Sequence, residues 1–203
     1  EQVEYMDAHP EVDICGTWAQ TFGSEREQTW RYPTTDAEIR SEMLFNSALV
    51  HSSVMLRRAS FERHQLRYDP ETHRAQDYEL WVRAAGKLRF ANLGKTLLRY
   101  RLHPGQVGKR ENEMQQATAS LVRLRQLKAL GLNPSAEEIA LHERISLWSF
   151  STDVDFLSTT QRWLAKLLQA NFASQQYPQK AFKRVLGKRW WQGCRAASKL
   201  GPA

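Results

Sequence analysis

The residue spacing changes character once along the chain, near residue 109, and that change limits what the chain folds into. Before it, short runs rich in β-branched and aromatic residues alternate with helical stretches and are punctuated by Gly and Pro. Beyond Lys109, Gly and Pro are scarce except at breaks, and Leu121, Leu124, Leu127 and Leu130 recur at helical intervals before Gly131. The first pattern predicts an α/β half and the second an all-helical one. With 203 residues, 41% of them hydrophobic and 25% charged, the chain is long and apolar enough for a real core and is neither disordered nor collagenous. No apolar run approaches the roughly eighteen residues of a spanning helix.

In the first half, Val12 to Phe22 reads as a strand between Pro10 and Gly23. Thr35-x-x-Glu38 forms a capping-box pattern before Ile39, Met43 and Leu44, which share one face of a short helix. Ala48 to Leu56 (ALVHSSVML) predicts a buried strand whose polar centre, His51-Ser52-Ser53, meets a cavity. Gln76 to Gly86 predicts a helix with Tyr78, Trp81, Val82 and Ala85 inward, acids in its first turn and Gly86 as the C′ stop. Two short strands, Leu88 to Asn92 and Thr96 to Leu102, precede the turn His103-Pro104-Gly105. In the second half, Ser135-x-x-Glu138 opens a helix through about Phe150. Asp155 to Ala173 forms another, with Trp163, Leu164, Leu167 and Leu168 inward, and Pro178 restarts the chain into a last helix.

The formal net charge of +7 is matched by the seven basic residues from Lys180 onward, a segment with no acid, so residues 1–179 are near neutral. A nucleic-acid partner is therefore not expected of the body. The segment 180–200 sets Phe182, Val185, Leu186, Trp190 and Trp191 among those cations, a composition suited either to peripheral contact with an anionic membrane or to a last packing helix with a solvated basic face. Cys15 and Cys194 match neither a metal-binding pair nor a disulfide framework, which suits a reducing, cytoplasmic setting.

The strings HPEVDICGTWAQTFG, HSSVMLRR, LRYDPETHRAQDYELWVRAA and FANLGKTLLRYRLHPGQVG, in that order over residues 1–108, resemble the second half of bacterial family 2 glycosyltransferases of the GT-A fold. The resemblance implies an α/β fold, a partial GT-A (Rossmann-like) half-domain at 1–108 followed by a helical extension at 109–203. It implies an inverting transferase that moves a sugar from a nucleotide-sugar donor to a saccharide or lipid-linked acceptor in surface polysaccharide biosynthesis, at the inner face of the cell membrane. The nucleotide-binding first half of that family, with its Asp-x-Asp metal signature, has no counterpart here. Asp153-Val154-Asp155 follows the motifs instead of preceding them and reads as a helix N-cap. The expectation is an acceptor-side piece, inactive alone, with a divalent cation (Mn or Mg) bound only together with the donor half.

By that resemblance Asp77, in Ala75-Gln76-Asp77-Tyr78, is the general base toward the acceptor hydroxyl, and Gln76 stands where the family usually has Glu. His103 corresponds to the histidine that helps bind metal and donor diphosphate. His51 and Ser52 line the cleft between donor and acceptor, and Arg74 and Arg101 face phosphate or acceptor charge. Bland readings stand beside these: Asp77 as a helix-dipole acid, His103 as a turn residue, His51 as a core imidazole, the arginines as solvated. The alternative for the whole chain is a non-catalytic remnant or binding module that associates with a membrane or partner through the basic segment.

Overall fold

Strand β1 (Ile14–Phe22) is hydrogen-bonded along both edges and organises the sheet. The structure, a computed structural model, describes residues 1–23, 26–103 and 112–198. The described residues form two units, Glu1–Met43 with Ser47–Val122, and Leu44–Asn46 with Arg123 onward. Position 108/109, where the sequence predicts the domain change, lies outside the described residues, as do Pro104 and Gly105 of the expected turn.

The first unit runs α1 (Gln2–Ala8), β1, β2 (Thr29–Trp30), α2 (Asp36–Glu42), a 3-10 turn (His51–Ser53), β3 (Met55–Leu56), α3 (Arg58–Arg63), α4 (Gln76–Ala84) and β4 (Phe90–Arg101). On one edge β1 pairs with β4 in parallel along its whole length; on the other it meets β3 at Ile14 and Cys15 and β2 at Ala19 and Gln20, both antiparallel. The fold is mixed α/β. Gly16 permits the close approach of β1 to β4: a Cβ there would stand 2.2 Å from Asn92 Oδ1 and 2.9 Å from Leu49 Cδ2. Buried Asn92 in turn donates to the carbonyls of Pro33 (2.7 Å) and Ala48 (2.9 Å), tying two loops to the strand. Ile14, Ile39, Leu49, Leu80, Trp81 and Phe90 are buried in the core between sheet and helices.

Three local expectations are corrected. His51-Ser52-Ser53 is a 3-10 turn and not the centre of a strand, because Ser53 Oγ donates to Val50 O at 2.8 Å and receives Thr17 N–H at 3.0 Å, turning the chain before β3. The two short strands of the sequence reading are one, β4, interrupted by bulges opposite Thr17, Trp18 and Ala19. Helix α4 ends at Ala85 without a left-handed glycine, since Gly86 does not adopt positive φ.

The second unit contains α5 (Asn112–Ala129) from Arg123, then α6 (Ala136–Ser146), α7 (Val154–Ser174) and α8 (Gln179–Ala197). Ser135 and Glu138 form the expected reciprocal capping box, and Asp153 caps α7 through Asp155 N–H at 3.0 Å. Helix α6 stops at Ser146, short of Phe150, and α8 runs unbroken through Gly187 and Gly193. The leucine stripe of α5 is only partly inward: Leu127 and Leu130 are buried, but Leu121 is exposed and Arg123 and Gln126 are buried instead. Arg123 is accommodated because its guanidinium donates to Phe45 O (2.6 Å), Asn46 Oδ1 (3.0 Å) and Glu143, leaving its charge paired.

Beside it, His142 is fully buried. Its Nε2 faces Leu44 O at 3.1 Å and its Nδ1 faces Trp163 Nε1 at 3.2 Å, so the neutral tautomer with hydrogen on Nε2 satisfies both. Burial pushes its pKa down to about 3; the Arg123 and Arg189 charges act in the same direction and the Leu44 hydrogen bond opposes them. Among the described residues no helix is long and apolar enough to cross a membrane.

Two outcomes test this construction. Gly16→Ala should destabilise the protein by about 1–3 kcal/mol, read by chemical denaturation, because neither Asn92 nor the strand has room to give. For His142 the unfolded imidazole takes up a proton below about 6.5 while the folded one stays neutral to about 3, so stability falls as pH falls through that window. The difference in unfolding free energy between wild type and His142→Gln should therefore change by up to about 1.4 kcal/mol per pH unit between those limits, and be flat above pH 7.

Candidate active site

Helix α4 presents Asp77 because three of its neighbours are pinned. Tyr78 Oη donates to Met43 O at 2.6 Å, Trp81 is fully buried, and Leu80 and Ala84 complete the inward face. Burying an aromatic or leucine side chain of this kind stabilises by about 1.5–3 kcal/mol each. The helix starts abruptly: its N-cap, Ala75, sits in the left-handed region (φ 52°, ψ 27°) and supplies no capping side chain. A non-glycine residue there costs about 1–2 kcal/mol. Asp77 and Glu79 occupy the first turn, where the helix dipole favours anions.

Glu79 is buried and held by Arg83, whose Nε lies 2.7 and 2.9 Å from its two oxygens. The same guanidinium donates to Arg67 O at 2.7 Å. One arginine thus fixes α4 to the segment that carries Tyr68, and the Glu79 hydrogen bond raises the Arg83 guanidinium pKa above its ordinary value. Tyr68 Oη lies 2.9 Å from His51 Nε2, and the His51 ring stands edge-on to both Tyr68 and Trp81, at 6.0 and 6.3 Å. Burial raises the Tyr68 phenol pKa, and the Asp77 charge raises it further. Tyr32 is raised by burial first, then by Tyr100, Asp77 and Glu42. The charge of the half-buried Asp77 thus bears on two phenols, Tyr68, which meets the His51 imidazole, and Tyr32, while Trp30 and Tyr100 form a ring pair at 4.9 Å.

The sequence-selected residues distribute unevenly. His51 meets Tyr68, whose phenol also feels the Asp77 charge. Ser52 is exposed next to His51, and Gln76 is the half-buried first residue of α4. Arg74 is half-buried, with its guanidinium near its own neighbour's carbonyl, His73 O, at 3.4 Å. Arg101 lies over the Phe22 ring at 5.4 Å, on the opposite face of β4 from Tyr100. His103 is exposed just beyond β4. Among the described residues no three His, Cys, Asp or Glu side chains gather as a group that could hold a metal ion.

Tyr32, Tyr68, Tyr100 and Trp30 were not legible as site residues from spacing. A partial signal exists for Tyr32: Pro33 after it enforces an extended backbone, which holds the tyrosine out of any helix. Tyr68 precedes Asp69-Pro70 and reads as part of a turn.

Comparison with known proteins adds one relationship. The chain is 26% identical over 131 residues to a protein of Haemophilus influenzae named "Uncharacterized glycosyltransferase", a match over 60% of this chain and 41% of that protein. The matched region thus spans about two-fifths of the relative's length. No protein-family profile matches, and no solved structure matches. The chain therefore stands in a distant relationship to a protein named as a glycosyltransferase.

The electrostatic geometry is testable without any substrate. In Asp77→Asn the phenols of Tyr32 and Tyr68 lose a nearby anion that disfavours phenolate, so part of the tyrosine absorbance titration should move to lower pH than in wild type, with unchanged circular dichroism.

Proposed function

We propose that this chain is the acceptor-side part of an inverting family 2 glycosyltransferase of the GT-A fold. It transfers a sugar from a nucleotide-sugar donor to a saccharide or lipid-linked acceptor in the building of surface polysaccharide. The observation that supports the reading is the half-buried Asp77 at the start of α4, with its charge acting on Tyr32 and Tyr68. The distant relationship to a named glycosyltransferase supports it from a separate direction.

In the proposed reaction the acceptor oxygen attacks the anomeric carbon. A new carbon–oxygen bond forms as the bond to the donor phosphate breaks, and the electron pair leaves with the nucleoside diphosphate on the opposite face. The acceptor proton passes to an Asp77 carboxylate oxygen, so the anomeric configuration inverts. Tyr68, held by His51 and through Arg67 by Arg83, and the Trp30–Tyr100 pair offer phenol hydrogen bonds and ring faces to a sugar. A manganese or magnesium ion would supply charge neutralisation on the leaving diphosphate, with His103 as one candidate ligand beside groups of the donor-binding half.

The test uses the protein that joins this chain to a donor-binding half. Asp77→Asn should lower turnover by about 10²–10⁴-fold, followed as nucleoside diphosphate release, while donor affinity stays within about twofold. A variant with near-normal turnover removes Asp77 from the role of base.

A further inference from the structure

Helix α8 has no acidic residue, and four of its six cations share one side, with exposed Lys183 flanking them and Arg189 buried on the far face. At 3.6 residues per turn, Lys180, Arg184, Lys188, Trp191 and Arg195 fall within one stripe about 80° wide. All five are exposed, Trp191 by 65%. The opposite face, with Phe182, Val185 and Leu186, is buried in the core of the second unit. Packing therefore accounts for one side of α8 and leaves a cationic stripe with an exposed indole on the other.

A second observation lies beside this stripe, at the end of α6. That helix closes with Trp148 N–H on Ile145 O (3.3 Å) and Ser149 N–H on Arg144 O (2.9 Å). Helix α5 closes the same way, with Gly131 N–H on Lys128 O and Leu132 N–H on Leu127 O. This cap requires a left-handed residue, and in α5 glycine takes it at φ 82°. In α6 the residue is Trp148, at φ 56°. An indole in that position costs roughly 1–3 kcal/mol of backbone strain. One ring face covers Arg189 at 4.8 Å, and Lys188 approaches at 5.5 Å, which places the tip next to the α8 stripe. Trp148 nevertheless stays 39% exposed and the preceding Leu147 47%.

We propose that this composite face, the α8 cations with Trp191 and the Leu147–Trp148 tip, docks on an anionic lipid surface. Cations match the lipid headgroup charge, and exposed indoles prefer the headgroup boundary, where one part of the ring is dry and the N–H is wet. A nucleic-acid surface would use the cations but leaves the exposed Leu147 and Trp148 without a role. The inference is independent of the transferase reading.

Sedimentation of the full chain with vesicles tests it. Vesicles containing phosphatidylglycerol in phosphatidylcholine should capture the protein at low salt, pure phosphatidylcholine vesicles should capture much less, and capture should weaken as salt rises. Binding should shift tryptophan emission to shorter wavelength. Arg184→Gln with Lys188→Gln, both at exposed positions, should lower the partition coefficient by roughly 30-fold, taking the usual contribution of a basic residue near such a surface. Trp191→Ala, also exposed, should weaken capture and reduce the emission shift. Equal capture by both vesicle types, no capture at low salt, or capture unchanged by the double variant overturns the proposal. So does salt-sensitive binding of a single-stranded oligonucleotide by a protein that ignores the vesicles.

Discussion

The parallel pairing of β1 with β4 is the contact on which the first unit rests. Its tightness is set by one missing side chain, at Gly16, and by one amide, Asn92, which fills the space and reaches across to the loops at Pro33 and Ala48. Those loops carry the candidate site: Tyr32 precedes the first, and His51 follows the second by three residues. Tyr100 lies on β4 itself. Backbone pairing and one buried amide hold the segments of Tyr32, His51 and Tyr100, and α4, which carries Asp77, is fixed through Tyr78, Trp81 and Arg83.

The second unit solves a different problem. Its helices bury an arginine and an imidazole together with the short segment Leu44–Asn46, whose carbonyls at Leu44 and Phe45 accept from His142 and Arg123. Arg189 is also fully buried, 3.7 Å over the Phe45 ring. Polar groups this deep are tolerated where partners are supplied, and the partners come from a segment about 80 residues earlier in sequence. Nothing in helical periodicity announces such a contact: of the leucines that recur along α5, Leu121 is exposed, while Arg123 is buried.

Features legible in the sequence were those written in local chemistry. The side-chain cap at Thr35, the capping box at Ser135, the aspartate cap of α7, the glycine after α5 and the restart at Pro178 all depend on residues within a turn of one another. Features set by distant partners were misread: Ser53 turns the chain because Thr17, 36 residues away, donates to it. The site divides in the same way. Asp77 is visible from its motif and its position at a helix start, whereas Tyr32, Tyr68 and Tyr100 come from three separate segments, one on β4 and one tied to α4 through Arg83.

The bulges in β4 bear on how such a site changes. Between Thr17 and Ala19, β1 advances two steps while β4 advances five, from Leu93 to Leu98. The two ends of the sheet are consequently out of phase with each other. The deep end, where Ile14 meets Phe90, does not dictate which side chains stand at the rim, where Thr21 meets Tyr100. A residue inserted at Gly94 or Lys95 would fall within this bulged stretch and change which side chains stand beside Tyr100 without altering the register of Ile14 with Phe90.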